Sequence, residues 1–220
     1  MRNLASRHKI TERSVINWRT MARTETIADE DLTRRFIATF RESGYAGTSV
    51  RDLSNAAGLT KAALYHRFPD GKDGMAAAAL DMVCREMDGT VLATLDGQTP
   101  LPVRLSHMMD ALERFYADGA HACLIELFSQ QSAPQSLRDA VRSSTGRWIS
   151  TLADALVAGG IPPEVARTRS RNALIGIQGA LVLCRALDDR QPFAELLARL
   201  PLELMATQTD PPTGERRNGT

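Results

Sequence analysis

Apolar residues recur three and four positions apart over most of this chain, and no run of β-branched residues alternates with polar ones. That periodicity, with abundant Ala, Leu and Arg, predicts an all-α fold. The first strong pattern covers 27–43 and buries Leu32, Phe36, Ile37 and Phe40. Two very short patterns follow, Val50-Leu53-Ala57 and Leu64-Phe68, with Gly58 between them. Pro69 ends the second, because a proline ring is poorly tolerated inside a helix. A long pattern then spans 72–95. After a turn at 97–102, helices are expected over 103–116 and, beyond Gly119, over 123–129. Pro134 opens another that ends at Gly159-Gly160, Pro162-Pro163 open the longest, to about 187, and Pro192 starts the last. The pattern divides the chain into a basic polar extension (1–24), a three-helix domain (25–72), a larger helical domain (73–206) and a polar tail (207–220) expected to be disordered.

The two short helices carry the most specific signal. Thr48 and Ser49 are natural N-caps, and Ser49 with Asp52 makes an approximate capping box. Gly58 stands where a helix ending in the left-handed conformation needs it, Leu59 can plug the corner, and Thr60 can cap the second helix. With Leu64 and Phe68 facing inward, Lys61, Tyr65, Ala62 and His66 occupy an outward arc of roughly 60 to 200 degrees. A bracing helix followed by a helix with such an outer face is how a helix-turn-helix reads a major groove. Charge agrees: the net charge of the whole is only +1, but residues 1–72 carry +5 and the remainder −4. All three lysines (Lys9, Lys61 and Lys72) lie in the basic part, as a polyanion bound at one end requires.

The residues of this segment resemble the tetracycline-repressor (TetR/AcrR-type) family of transcriptional regulators. The matching pattern is Gly44-Tyr45, Thr48 to Leu53, Ala57-Gly58-Leu59-Thr60-Lys61, and Leu64-Tyr65-His66 with Phe68. Phe68-Pro69-Asp70-Gly71-Lys72-Asp73 resembles the variant found in the LmrA/YxaF-like branch. The resemblance implies an N-terminal helix-turn-helix domain followed by a larger helical ligand-binding and dimerisation domain. It also implies a homodimer that binds a palindromic operator in double-stranded DNA and is released by a small-molecule effector. By the same resemblance Thr48, Ser49, Thr60, Tyr65 and Lys72 hold phosphates, while Arg51, Lys61, Ala62, Ala63 and His66 approach base edges. The alanines bring no hydrogen bonds and could sense only thymine methyls. His66 could equally pack against the preceding helix. The basic extension could be a minor-groove arm, an extra helix or an upstream addition, since Met21 also reads as a start.

The longest helix gives a second inference. Ala173, Gly176, Gly179 and Ala180 share it with Leu174, Ile175, Ile177, Leu181, Val182 and Leu183, so it is apolar all round and must be buried all round. A central helix of one protomer satisfies that demand, and so does a two-fold interface; we expect the interface, built from Asn172, Ala173, Gly176, Gly179, Ala180 and Leu183. For an effector, the middle helices offer Met82, His107, Met108, Phe115, Cys123, Leu127 and Trp148, a lining suited to a lipophilic or aromatic molecule. Each of these is also what an ordinary helical core contains.

Other classes find little support. Cys84, Cys123 and Cys184 are odd in number and far apart, as expected of reduced thiols in a cytoplasmic protein. There is no signal-peptide core, and the longest nearly apolar run, 173–184, is broken by Gln178 and too short to span a bilayer. No nucleophile elbow, zinc motif or phosphate loop appears, so neither an enzyme nor a cofactor or metal is expected. The remaining rival is a helical adaptor whose helix-turn-helix does not bind DNA.

Overall fold

One long helix, two short ones and the start of a fourth form a head around Leu32, Phe36, Phe40, Leu53 and Leu64, all fully buried. The computed structural model describes residues 28–206; the N-terminal extension and the tail after 206 lie outside them. Helix α1 (Asp29–Gly47) opens with Asp29, Glu30 and Asp31, negative charge where the helix dipole is positive. The predicted end near Ser43 is where the chain does break: Gly44 has φ 67° and ψ 179°, and Thr48 Oγ1 donates to its carbonyl at 2.7 Å. Helix α2 is Val50–Ala57 and α3 is Lys61–Arg67, joined through Gly58 at φ 66°. Leu59 is half-buried in the corner, and Ser54 Oγ donates to its carbonyl at 2.5 Å.

Helix α4 (Gly71–Glu86) continues through a π-helical turn (Met87–Val91) and a 3-10 turn (Leu92–Leu95). The expected long helix is therefore one rod with a changed pitch at its end. Gly71 starts it with φ 60°, and a Cβ there would sit 3.0 Å from the Tyr65 ring, so glycine answers both a backbone and a packing demand. The remaining helices are α5 (Leu101–Phe115), α6 (Leu124–Phe128), α7 (Gln135–Ala158), α8 (Pro163–Leu187) and α9 (Gln191–Met205). Every element among the described residues is helical.

The apolar core is in two clusters, and the boundary between them is not at residue 72. One cluster joins α5, α7, α8 and α9 with the end of the α4 rod. The other begins in the head, runs on through Met75, Ala79 and Val83 of α4, and takes in Leu124 and Phe128 of α6 and Leu137 and Val141 of α7. Phe128 stands edge-on to Phe40 (5.2 Å) and to Tyr45 (6.2 Å). The short helix α6 thus belongs to the core of the head, although it lies some 80 residues farther along the chain.

Candidate nucleic-acid interface

The outer surface of the head is built by closing helix ends, which fixes the direction of the side chains left over. Ser49 Oγ accepts from Asp52 N at 3.2 Å while Asp52 Oδ2 accepts from Ser49 N at 2.9 Å, so the capping box is complete with an aspartate in the usual glutamate place. The Ser49 hydroxyl also donates to Asp52 Oδ2 at 2.6 Å; that bond, and then the one from Ser49 N, hold the Asp52 carboxyl below its ordinary range. Thr60 Oγ1 accepts from Ala63 N at 3.2 Å and caps α3. Arg35 of α1 donates to the carbonyls of Ala56 and Ala57 at 3.3 and 3.2 Å, closing the far end of α2. Sequence periodicity had no signal for that last contact, because Arg35 reads as one more exposed arginine of an amphipathic helix.

With the ends closed, Arg51, Lys61, Ala62 and His66 are exposed, Ala63 is half-buried and Tyr65 is 48% exposed. They form one surface from the first turn of α2 along the outer side of α3. Arg67, by contrast, turns back to pair with Asp29. Two expected contacts are placed differently from the rest. Thr48 is 2% exposed, and its hydroxyl is turned inward onto Gly44, so its side chain does not reach the surface. Lys72 is half-buried: its amine donates to the carbonyls of Tyr45 (3.0 Å) and Thr48 (3.1 Å) and lies 4.1 Å from the Tyr45 ring centroid. It neutralises the carbonyl end of α1, which leaves one of its three N–H groups for anything outside. Tyr45 is held from the other side by its hydroxyl, which donates to Asp73; burial, then that bond, pushes the phenol far up its range.

The residues expected at the effector site are not brought together. Phe115 and Cys123 line a small cavity between the two cores, of about 10 Å³. Met82 instead lines an open groove beside Asp29 and Glu30 on the surface. His107 is exposed, Met108 (0%) and Trp148 (3%) are packed in the C-terminal core, and Leu127 leans against Gly44.

The six residues expected at the interface also divide. Asn172, Gly179 and Leu183 are exposed, whereas Ala173 (2%) and Ala180 (7%) are buried within the protomer. A Cβ on Gly176 would sit 3.1 Å from Leu196 Cδ1, so this glycine permits close packing of α8 on α9 of the same protomer. The exposed face of α8 carries Ile175 (62%), Val182 (43%), Leu183 (50%) and Leu187 (62%). Helical spacing places residues 172, 175, 179 and 182 on one stripe. Reading the helix as apolar all round could not say which side its own chain would cover.

Residues 37–79, which hold this head surface, match the model of bacterial regulatory proteins of the tetR family. The chain belongs to that family. Residues 105–198 match the C-terminal domain of LmrA/YxaF-like transcriptional regulators. The chain is 26% identical over 192 residues to the HTH-type transcriptional repressor DhaR of Mycobacterium sp. (strain GP1), spanning 80% of this chain and 91% of that protein. Its fold superposes on a TetR regulator from Legionella pneumophila with a TM-score of 0.71 at 19% identity, covering 79% of this chain and 95% of the other. It also superposes on CifR, determined as a cysteine mutant with a 26-bp double-strand operator DNA, with a TM-score of 0.67 at 23% identity, covering 84% and 99%. This tetR-family chain is a helix-turn-helix, DNA-binding transcriptional regulator. No helix among the described residues is long and apolar enough to cross a membrane.

Proposed function

We infer that this regulator is a homodimeric repressor that binds an inverted repeat and is released by a small effector. The observation that carries the DNA half is the outward surface of α2 and α3. Arg51, Lys61 and His66 stand exposed on helices whose ends are already closed, so they are free to meet phosphates and base edges. Repression is the role named for DhaR, and operator binding is what CifR does in its complex. The apolar stripe on α8 supports pairing of two chains, which would present two heads to two half-sites about one helical turn or a multiple apart. An effector must prefer the arrangement whose heads do not fit those half-sites.

Binding of the full chain to DNA from upstream of its own gene tests this reading. Affinity should fall steeply as salt rises, each phosphate contact contributing about −0.9 to the logarithmic slope. Equal and weak binding to all fragments at every salt concentration would favour the adaptor reading, in which the helix-turn-helix serves another purpose.

A further inference from the structure

The small cavity between the two cores holds a buried guanidinium nitrogen with no partner. Arg41 of α1 reaches it half-buried, donating from Nη1 to His121 Nδ1 at 3.2 Å. Its Nε is buried with no hydrogen-bond partner, and no carboxylate among the described residues pairs with it. Around it, the buried Tyr116 hydroxyl and the Gln178 amide both donate to Cys123 Sγ at 3.5 Å. A thiol is a weak acceptor for the two groups that donate to it, and Arg41 has one imidazole nitrogen for its five N–H groups. The guanidinium is the charge at this corner; the Glu86 carboxylate acts on it without forming an ion pair, and its Nε is left without an acceptor. Burial, and then the Arg41 charge, hold His121 below its ordinary pKa; its neutral ring is the acceptor that Arg41 needs. The walls away from this corner are mainly apolar, with Met87, Phe115, Leu124 and Ile125, apart from Cys84, whose thiol donates to the Ser144 hydroxyl.

We propose that this corner is the carboxylate subsite for an apolar acid, with Arg41 as its counter-ion and Tyr116 and Gln178 as further donors. The planar guanidinium fork matches a carboxylate with two parallel bonds. Free volume of about 10 Å³ holds about one water, so the acid enters by displacing Phe115 and Ile125, which are only partly buried. That entry has a consequence for the head. Ile125 shares α6 with Phe128, which packs on Phe40 and Tyr45, and Arg41 is the residue next to Phe40. The ligand would therefore touch both sides of the α6–α1 contact. This rests on the effector-controlled reading above and gives the effector its chemical class.

The experiment is calorimetry on the full chain without DNA, using octanoate and cinnamate, each against its primary amide. The wild type should bind at least one acid about tenfold or more tightly than the matching amide, since charge-assisted bonds are roughly twice as strong as neutral ones. Which acid prevails distinguishes an aliphatic source from an aromatic one. R41M should abolish the acid's advantage while leaving amide affinity in place, and R41K, which keeps the charge but not the fork, should retain part of it. Equal binding of acid and amide by the wild type, or of neither, overturns the proposal, and needs no variant to fold. Acid binding that survives R41M overturns it too. Operator affinity with and without the bound acid is then a separate measurement: binding that leaves DNA affinity unchanged keeps the subsite and removes effector control.

Discussion

The head and the last two helices finish their surfaces in opposite ways. In the head, Ser49, Thr60, Gly58 and Arg35 close the ends of two helices of eight and seven residues, and the large apolar side chains turn inward. What remains outside is mostly polar or small. On α8 nothing comparable happens: Ile175, Leu183 and Leu187 are at least half exposed on a helix of 25 residues, and Leu202 on α9 is 70% exposed. Helices as short as those of the head are marginal alone, so their caps and tertiary contacts are what keep the outer face in one geometry. The long helix needs no such help to be helical, and its apolar stripe is the surface another copy can cover. One region turns its large apolar side chains inward; the other leaves a stripe of them exposed.

The largest expected effect comes from forcing the second region to stay open. Ile175→Asp places a charge where the proposed seam is apolar, and uncompensated burial of a charge costs about several kcal/mol. The variant should keep its helical circular dichroism, run as a monomer in light scattering and lose tight operator binding. A dimer of wild-type mass would take this stripe out of the interface. Gly176→Arg is not an equivalent test, because its side chain would strike Leu196 of the same protomer first.

A smaller loss should follow from truncating a side chain on the proposed base-reading side of the head. Arg51→Ala should cost about 1–3 kcal/mol at each half-site and relax preference at one symmetric base position, read by competition among single-base operator variants. Lys72→Ala should do less and do it differently. Its amine bonds to the Tyr45 and Thr48 carbonyls, so the change removes internal bonds that typically contribute roughly 1 kcal/mol each, and melting should come earlier. If the remaining N–H meets a phosphate, all sequences weaken alike and the salt slope falls by about 0.9 per contact. A reversal, with Lys72→Ala altering sequence preference and Arg51→Ala weakening all DNA evenly, would contradict the assignment of the two side chains.

The contrast between the regions also explains what could be read from residue order. The head was legible because its determinants are local: capping Ser49 and Asp52 are three apart, Gly58 breaks one helix, and Pro69 ends the next. The break at Gly44 came out at the expected place for the same reason. The features that escaped were made by residues far apart in sequence. Arg35 on the end of α2, Lys72 on the end of α1, and Phe128 in the head's core leave no periodic trace. Ala173, Gly176 and Ala180 look like interface residues by composition, yet they turn into their own protomer, and of the six expected residues Asn172, Gly179 and Leu183 stay exposed, beside Ile175 and Val182. Nor could spacing tell that His107 and Met82 would point away from the cavity that Phe115 and Cys123 share.

On the proposed reading, a head closed within one chain becomes a regulator by pairing through the exposed stripe of α8. Stoichiometry on DNA tests it most directly: the mass of the complex, by sedimentation, on a duplex carrying the full inverted repeat and on one carrying a single half-site. Two chains should bind the full site together, with a single half-site bound far more weakly, and Ile175→Asp should abolish the difference. One chain per duplex, held equally well by full and half sites, would contradict the account.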